Sequence, residues 1–399
     1  MRILIADPFS ERHLEALRAV GLEVDYRPTL GQADLAGALP GTAILVVRST
    51  EVGADAIAAG KELALIVRAG AGVNNIDKKA ASARGVFVTN CPGKNSVAVA
   101  ELTMGLLISL DRRIPDNVAD LRAGTWNKKE YGKAGGLLGR TLGVIGVGAI
   151  GREVARRAQA FGMKVLGFDP VVDAAAMGEL GIERVAMLAD LCGASDAITL
   201  HVPLVPETRG LLGEAAIARL RPRAMVINTA RAEVVEVEAL KRAITEKGLR
   251  VALDVFADEP TGATGPFTDD IVKLPGVYGT HHIGASTDQS QEAIGDETLR
   301  IVRAFVERGE VQNCVNIARK SPAVFQLNVR HLDRVGVLAE VLGSIRRREI
   351  NVEEVENVIF EGGAAASARI RLGARPPLDL LDEIRSHQEI LHVEGVDLP

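Results

Sequence analysis

The chain has 399 residues, enough for two or three domains, and 47% of them are hydrophobic, which is ample for well-packed cores. A net charge of −5 gives no reason to expect a nucleic-acid partner. Three widely spaced cysteines without a C-x-x-C pair indicate reduced thiols, so we expect a cytoplasmic protein. We expect neither a signal peptide nor a membrane span, because the most apolar helical stretch, residues 97–110, is too short to cross a bilayer.

Residues 1–93 alternate between strand-like and helical patterns, which is typical of a parallel sheet covered by helices. The predicted strands are residues 3–6, 23–26, 44–47, 65–67 and 86–89, with a helix at 11–20 between the first two. A helix at residues 96–110 leads into a second α/β unit, which we bound at residues 94–285. Its predicted strands are residues 142–145, the run ending at 169, 197–201, 224–228, 250–255 and 277–279.

A long helix predicted for residues 288–308 has no further strand of the second unit to follow, so we place residues 286–318 back against the first lobe. The catalytic part would then consist of a flavodoxin-like substrate lobe with a Rossmann-like lobe inserted in it. Residues 319–399 show the order strand, helix, strand, strand, helix, strand, which predicts a ferredoxin-like domain. Its predicted elements are residues 323–330, 335–348, 350–360, 366–372, 378–387 and 390–394.

The second unit opens with G-x-G-x-x-G spacing at Gly146, Gly148 and Gly151, between a predicted strand and a helix predicted from residue 152. In a dinucleotide-binding unit these glycines permit a tight turn, close approach of the pyrophosphate and close packing of the helix on the strand. Ala149 and Ile150 lie between them, where backbone amides at a helix start attract phosphate charge. The sequence therefore predicts a dinucleotide site here.

Asp169 ends the next predicted strand, about 20 residues after the glycines, where a carboxylate can accept hydrogen bonds from an adenosine ribose. A carboxylate would repel a 2′-phosphate, and residues 170–172 offer no arginine to hold one. The sequence therefore favours NAD over NADP.

Three polar side chains, Arg231, Glu259 and His282, follow predicted strand ends of the second unit, which is where ligands bind in such sheets. Arg231 could hold a substrate carboxylate with two hydrogen bonds, although an exposed arginine at a strand end fits equally well. Glu259 could orient an acid/base group or be a solvated loop acid, and Asp254 could face the nicotinamide. His282 could exchange a proton with a substrate hydroxyl, and spacing alone does not separate it from His281.

Six ordered segments resemble the signatures of the D-isomer-specific 2-hydroxyacid dehydrogenase family, and the resemblance covers residues 1–318. The segments are RAGAGVNNID (68–77), GVGAIG (146–151), HVPLVPETRGLL (201–212), INTARAEVVEVEAL (227–240), DVFADEP (254–260) and THHIGAST (280–287). The resemblance implies that Arg231 binds the substrate, Glu259 orients the acid/base group and His282 is that group. It selects His282 over His281 because isoleucine, glycine and alanine follow it. Further cofactor contacts that it implies are Thr229, Ala230, Asp254, Gly284 and Ala285.

The resemblance also implies a substrate site in the first lobe. Arg48, in the motif VRS, stands where the family places a phosphate-binding arginine, with Ser49 beside it; a surface charge at a strand end is the alternative. The loop that contains Ala71, Gly72 and Asn74 would hold the substrate carboxylate.

Residues 331–352 resemble the motif of the ACT regulatory domain. A family member with one such C-terminal domain resembles the branch that acts on 3-phosphoglycerate in serine synthesis, so this substrate is implied. His331, Asp333 and Asn351 would bind L-serine or another amino acid between paired domains, unless the domain serves only for oligomerisation. The resemblance implies a homodimer or homotetramer.

Two other functions stay open: a glyoxylate or hydroxypyruvate reductase of the same family, and an NADH-sensing binding protein without catalysis. The chain also departs from the family pattern at Ala232, where a glycine usually follows the arginine. The extra methyl group would crowd the nicotinamide loop, so we expect modest turnover. We predict no metal site.

Overall fold

Three separate β-sheets, two parallel and one antiparallel, organise the chain. The computed structural model describes residues 1–260, 264–318 and 320–398. Both parallel sheets belong to one unit, Met1–Asn316, and the antiparallel sheet belongs to a second unit, Ile317–Pro399.

The first sheet has five parallel strands in the order β2-β1-β3-β4-β5. Its elements are β1 (Arg2–Ile5), α1 (Glu11–Ala19), β2 (Glu23–Tyr26), α2 (Gln32–Ala38), β3 (Ile44–Val47), α3 (Ala54–Ala59), β4 (Leu65–Arg68), α4 (Lys78–Ala83) and β5 (Phe87–Asn90). All four residues of β3 are buried, because helices cover both faces, and the strand is therefore a continuous apolar run. This flavodoxin-like order places the carboxyl ends of β1, β3 and β4 side by side.

The second sheet has seven parallel strands in the order β12-β11-β10-β9-β6-β7-β8. Its elements, with the helices before it, are α5 (Ser96–Arg112), α6 (Ile114–Arg122), α7 (Lys128–Tyr131), β6 (Thr141–Ile145), α8 (Ala149–Ala160), β7 (Lys164–Phe168), α9 (Ala174–Glu179), β8 (Glu183–Arg184), α10 (Leu188–Ala194), β9 (Ala197–Leu200), α11 (Glu214–Arg219), β10 (Met225–Asn228), α12 (Val237–Lys247), β11 (Arg250–Leu253) and β12 (Val277–Gly279). Short 3-10 helices lie at Pro206–Thr208, Ala232–Val234 and Asp270–Lys273. The strand order reverses between β6 and β9, and ligands bind at such a switch point.

The long helix α13 (Asp288–Arg308) follows the second sheet but packs on the first. Its buried Ile294 and Ile301 share a core with Leu14 of α1 and with the apolar side chains of β1, β3 and β4. The chain therefore leaves the first lobe after β5, builds the second lobe and returns.

The second unit is a four-stranded sheet in the order β14-β15-β13-β16, in which every neighbouring pair is antiparallel. Its elements are β13 (Phe325–Leu332), α14 (Val337–Arg347), β14 (Val352–Ile359), β15 (Ala365–Leu372), α15 (Leu378–Ser386) and β16 (Ile390–Asp397). Burial alternates along β13 because one face of the sheet packs on the helices through Val341, Ile345, Leu380 and Ile384. This is the strand and helix order of a ferredoxin-like fold.

The parallel α/β architecture agrees with the prediction. The structure adds the short edge strand β8, which was not predicted, and several elements differ from the prediction in their ends. Helix α8 begins at Ala149, three residues before the predicted residue 152, because the glycine turn passes directly into the helix. Strands β13 and β16 extend further toward their carboxyl ends than predicted, since they pair along their full lengths. Among the described residues, none of the helices combines the length and apolar character that a membrane span requires.

Glu297 of α13 contacts Lys94, in the segment between β5 and α5, and Asn313, in the segment after α13. Its side chain is 7% exposed and accepts hydrogen bonds from Nε of Arg300 at 3.0 Å and from Nδ2 of Asn313 at 2.7 Å. Nζ of Lys94 lies 3.4 Å away. The hydrogen bond from Arg300, which outweighs the effect of burial, lowers the pKa of the Glu297 carboxyl to about 2.

We predict that Glu297→Gln lowers the free energy of unfolding at pH 7 by about 1–3 kcal/mol, because it removes a charge-assisted network. A carboxyl group with a lowered pKa stabilises the folded state above its ordinary pKa, about 4.3, and this stabilisation is lost as the pH falls toward 2. Urea unfolding of wild type and variant should therefore show a difference that shrinks from pH 5 to pH 3. Glu307→Gln, on the exposed face of the same helix, is the control. An equal difference at both pH values would contradict this explanation.

Candidate active site

A glycine turn connects β6 to α8 at the switch point of the second sheet. Gly146 has a φ of +92°, and a Cβ there would lie 2.6 Å from the carbonyl oxygen of His201. A Cβ at Gly151 would overlap the carbonyl group of Gly146. At Gly148, by contrast, a Cβ would meet nothing within 4 Å. The turn is therefore packed on its sheet side and open at Gly148, where a pyrophosphate could approach the amino end of α8.

Asp169 follows β7 and is bound to the same turn. Its Oδ2 atom accepts a hydrogen bond from the backbone N–H of Val147 at 2.9 Å, and Oδ1 accepts from Val171 and Val172. A carboxylate oxygen can accept two hydrogen bonds, so Oδ2 still has one position for a ribose hydroxyl. This arrangement suits the adenosine end of NAD.

Glu259, which follows β11, holds His282, which follows β12 of the second sheet. The Nδ1 atom of His282 donates to Oε2 of Glu259 at 2.7 Å, and the other carboxylate oxygen accepts from the backbone N–H of Phe256 at 2.9 Å. His282 has a φ of +51°, an uncommon conformation for a residue with a side chain, and such residues cluster at functional sites. The imidazole side chain is 48% exposed, and its Nε2 atom is left for a substrate.

The pKa of the Glu259 carboxyl is lowered overall. Partial burial alone would raise it, but the hydrogen bonds from His282 and from the Phe256 backbone, together with the charge of Arg231, have a larger combined effect. Glu259 is therefore ionised at neutral pH and can stabilise a positive charge on the imidazole of His282.

Asp254 fixes the segment that carries His282. This buried carboxylate accepts hydrogen bonds from Oγ1 of Thr280 at 2.6 Å and from the backbone N–H groups of Ile283 and Gly284, both at 2.9 Å. The sequence analysis placed Asp254 toward the nicotinamide, and the structure shows both of its oxygen atoms in use by the protein. Its contacts with the Thr280 hydroxyl and with the backbone of Ile283 and Gly284 hold the segment that carries His282, which accounts for the defined position of the imidazole ring.

Arg231 follows β10 in a turn that Asn228 stabilises. The Asn228 amide donates to the carbonyl of Arg231 at 2.8 Å and accepts from the N–H of Ala230 at 3.0 Å. The guanidinium reaches Gly72 of the first lobe, where a Cβ would lie 2.5 Å from Nη2. Arg231 thus connects the edges of the two sheets, and glycine at 72 leaves the space that its side chain occupies.

Arg68 is a candidate that the sequence analysis missed, although it directly precedes the Gly70 to Gly72 loop. It ends β4, and its Nε atom is buried with no hydrogen-bond partner among the described residues. Burial first, and then the nearby charges of Arg231 and Arg48, lower the pKa of Arg68 to about 10. The charges of Arg231 and Arg48 are therefore unfavourable for the charged form of Arg68, and an anionic ligand would stabilise this grouping.

The loop after β3 presents Arg48 at this site. Oδ2 of Asp7 accepts hydrogen bonds from the backbone N–H groups of Arg48 at 2.6 Å and Thr50 at 3.1 Å. Asp7 follows the neighbouring strand β1, and its role was not predicted from the sequence. Ser49 is exposed between the two bound amides.

The remaining predicted residues differ in how they are placed. The hydroxyl of Thr229 is buried and lies 3.1 Å from that of Thr103, so only its backbone is left for a cofactor. Ala71 has its carbonyl bound by the Asn90 amide at 2.5 Å, while Asn74 is exposed. Ala232 is buried and has no positive φ, so the backbone does not require glycine there; the expected slow turnover stays a prediction.

Ala230 is buried in the turn before Arg231, and Ala285 lies past the segment that Asp254 holds. The carbonyl of Ala285 accepts a hydrogen bond from the Gln291 amide at 3.1 Å. Among the described residues no group of three or more histidine, cysteine, aspartate or glutamate side chains is arranged to hold a metal ion.

The three effector candidates of the second unit are not together in one chain. His331 is buried near the carboxyl end of β13, with Nε2 at 3.3 Å from Oδ1 of Asn357, and Asp333 follows it. Asn351 precedes β14 at the opposite end of the sheet, since Val352 pairs with Leu372. His331 instead pairs with Ala366, six residues along β15. At about 3.4 Å per residue, roughly 20 Å separates the two positions.

Comparison with known proteins identifies the family. Residues 104–284 match the family described as D-isomer specific 2-hydroxyacid dehydrogenase, NAD binding domain. A D-3-phosphoglycerate dehydrogenase of Methanocaldococcus jannaschii is 40% identical over 92% of this chain and 68% of its own length. The chain belongs to the D-isomer-specific 2-hydroxyacid dehydrogenase family.

Other relatives agree with this assignment. The rat D-3-phosphoglycerate dehydrogenase is 36% identical over 86% of this chain, which spans 63% of that protein's length. A crystal structure of NAD+-bound 3-phosphoglycerate dehydrogenase from Entamoeba histolytica superposes with a TM-score of 0.66 at 28% identity, covering 79% of this chain and 99% of the other. The chain is accordingly an NAD-dependent oxidoreductase, and the predicted family and cofactor are confirmed.

We predict that His282→Ala lowers kcat by about two to four orders of magnitude, which is the usual contribution of a general acid/base group. NADH formation followed by absorbance measures the loss. His281→Ala is the matched control, because that neighbouring histidine is also exposed and has no part in the Glu259 hydrogen bond. Comparable loss in both variants, or near-wild-type turnover in His282→Ala, would refute the assignment.

Proposed function

We propose that the chain oxidises 3-phospho-D-glycerate to 3-phosphohydroxypyruvate with NAD, the first reaction of serine synthesis. The observation that carries this proposal is the grouping of Arg231 and Arg48 around Arg68, with Arg231 also near Glu259 of the His282–Glu259 pair. A substrate with a carboxylate at one end and a phosphate at the other supplies two negative groups to these arginines. The names of the relatives point to the same substrate.

Arg231 is proposed to bind the substrate carboxylate and the C2 oxygen, because its guanidinium projects from the second lobe to the loop at Gly72 of the first. The Nε2 atom of His282 takes the proton of the C2 hydroxyl. Glu259 stabilises the imidazolium that forms and holds the ring in orientation through Nδ1. The glycine turn at Gly146, Gly148 and Gly151 would hold NAD, which would supply the hydride acceptor for C2.

Arg48 and Arg68 are proposed to bind the phosphate. The pKa of Arg68 is lowered by burial and by the two other arginines, so a dianion placed between Arg68 and Arg48 would remove an unfavourable interaction. Asp7 binds backbone amides rather than the Arg48 guanidinium, which leaves that guanidinium for the ligand.

Each of the two alternative functions has an observation against it. A glyoxylate or hydroxypyruvate reductase acts on a substrate without phosphate, which would leave Arg48 and the buried Arg68 without a counter-charge. An NADH-sensing binding protein has no need of an imidazole held on a carboxylate beside Arg231. Comparison of substrates with and without a phosphate group distinguishes the three functions.

We predict NADH formation with 3-phosphoglycerate at a kcat/KM at least about tenfold above that with D-glycerate, because charge-assisted hydrogen bonds to phosphate are worth about 1.5–3 kcal/mol each. Glyoxylate and hydroxypyruvate complete the panel in the reverse direction. Arg48→Gln should lose about tenfold or more in kcat/KM with 3-phosphoglycerate and little with D-glycerate. Equal rates with and without phosphate would favour the reductase, and no turnover with any acid would favour the sensor.

The second unit is proposed to be an ACT domain that binds L-serine between two copies. One chain separates Asn351 from His331 and Asp333, so a site that uses all three requires Asn351 from a second copy. Asp333 is exposed, and its carboxylate suits the amino group of an amino acid but repels its carboxylate. Domains that serve only for oligomerisation are the alternative.

A homodimer or homotetramer is part of this proposal. Apolar side chains are exposed on the second lobe around a cavity of about 760 Å³, among them Trp126 (80% exposed) and Leu121 (58% exposed). An exposed apolar surface of this size is typical of a protein–protein interface.

All three cysteines are unpaired, so a cytoplasmic location is also proposed.

We predict that titration calorimetry with L-serine gives a binding isotherm that Asn351→Ala and His331→Ala both weaken. Glycine is the control for a ligand without a hydroxyl group. Absence of heat with either amino acid would remove the effector from the proposal, and equal binding by wild type and Asn351→Ala would remove that residue from the site.

A further inference from the structure

A cavity of about 230 Å³ lies beside Arg48 at the carboxyl ends of β1, β3 and β4. We name it the Arg48 pocket. Its polar lining consists of Ser10, His13, Arg48 and Gln291, contributed by the loop after β1, by α1, by the loop after β3 and by α13. Four elements of the first lobe thus bring polar side chains to one half-open pocket, to which the family motifs assign only Arg48.

Ser10 and His13 form a hydrogen-bonded chain that ends on Asp296 of α13. Oγ of Ser10 lies 2.5 Å from Nδ1 of His13, and Nε2 of the same ring lies 3.0 Å from Oδ1 of Asp296. The imidazole is 2% exposed, and Phe9 packs against it with ring centroids 5.5 Å apart. The ring therefore has one defined position, and the side chain of Ser10 takes its orientation from it.

The direction of the hydrogen bonds determines what Ser10 can offer to a ligand. The Asp296 carboxylate only accepts, so Nε2 of His13 carries a proton. When Nδ1 is also protonated, it donates to Oγ of Ser10, and the hydroxyl hydrogen of Ser10 is free to point into the pocket. A neutral ring would instead accept that hydrogen, and Ser10 could then only accept.

The charges around the ring favour an anion in the pocket. On α13, Asp296 and Glu292 face the ring side of α1, but Arg12 of α1 pairs with both, at 2.9 and 2.7 Å. Arg48 is the cation that lines the pocket itself. An anion bound there would face Arg48 and the Ser10 hydroxyl.

We propose that the Arg48 pocket receives the terminal oxyanion of the substrate, with Ser10 as a direct hydrogen-bond donor to it and His13 as the positioning residue for Ser10. This inference rests on the proposed function, because it identifies the oxyanion as the phosphate of 3-phosphoglycerate. It adds two residues that determine specificity for a phosphorylated over an unphosphorylated acid.

Four variants test the pair through KM for 3-phosphohydroxypyruvate and for hydroxypyruvate in the reverse reaction. Ser10→Ala and His13→Gln should raise KM for the phosphorylated substrate about tenfold, the value of one charge-assisted hydrogen bond, with kcat nearly unchanged. His13→Asn should retain most of the wild-type KM, because the Asn amide nitrogen takes the place of Nδ1 and can still donate to Ser10. Arg18→Ala, exposed on the same helix, is the control for general effects on α1.

Unchanged KM for both substrates in Ser10→Ala and His13→Gln would overturn the inference. An equal rise for hydroxypyruvate would also overturn it, since this would show a structural role of the helix rather than recognition of phosphate.

Binding of sulfate by calorimetry separates this inference from the proposed function. Sulfate keeps its two negative charges across the neutral pH range and needs no turnover. If wild type lacks activity with 3-phosphoglycerate but binds sulfate, and Ser10→Ala weakens sulfate binding about tenfold, the pocket is supported and the proposed substrate is wrong. If wild type is active with 3-phosphoglycerate while Ser10→Ala and His13→Gln bind sulfate as wild type does, the proposed function stands and the pocket inference fails.

Discussion

The hydrogen bond between His282 and Glu259 gives the cleft its chemistry, and the surrounding structure holds that bond in place. Asp254 accepts hydrogen bonds from the Thr280 hydroxyl before His282 and from the backbone N–H groups of Ile283 and Gly284 after it, and these hold the segment in which His282 has a positive φ. Glu259 is fixed in turn by the backbone of Phe256. A pre-positioned imidazole needs little rearrangement when the substrate arrives, which is the main source of efficiency in proton transfer of this kind.

The opposite side of the cleft is governed by positive charge. Folding places Arg231, Arg68 and Arg48 close enough for the first and third to lower the pKa of the second. Such an arrangement destabilises the protein alone and is stabilised by an anion, so the energetic penalty of grouping the arginines becomes selectivity for a substrate with two anionic ends. The Arg48 pocket extends this logic, since the Ser10–His13–Asp296 chain places a hydroxyl group beside Arg48.

The sequence predicted the type and order of most elements, because buried parallel strands are continuous apolar runs and glycine turns mark the connections. It also predicted the pairing of His282 with Glu259, through the family motifs. It did not predict Arg68, Asp7 or the use of Asp254, since each depends on which strand ends lie side by side in the sheet. The effector trio shows the same limit: His331 and Asn351 belong to one motif, yet the pairing of β15 with β13 and β14 places them at opposite ends of one sheet.

A crystal structure of the complex with NADH and 3-phosphohydroxypyruvate tests the central claim most directly. The account predicts that the C2 oxygen lies about 2.6–3.2 Å from both Nε2 of His282 and the guanidinium of Arg231, with the phosphate at Arg48 and Ser10. A bound substrate whose C2 oxygen contacts neither side chain, or whose phosphate points away from the first lobe, would contradict it.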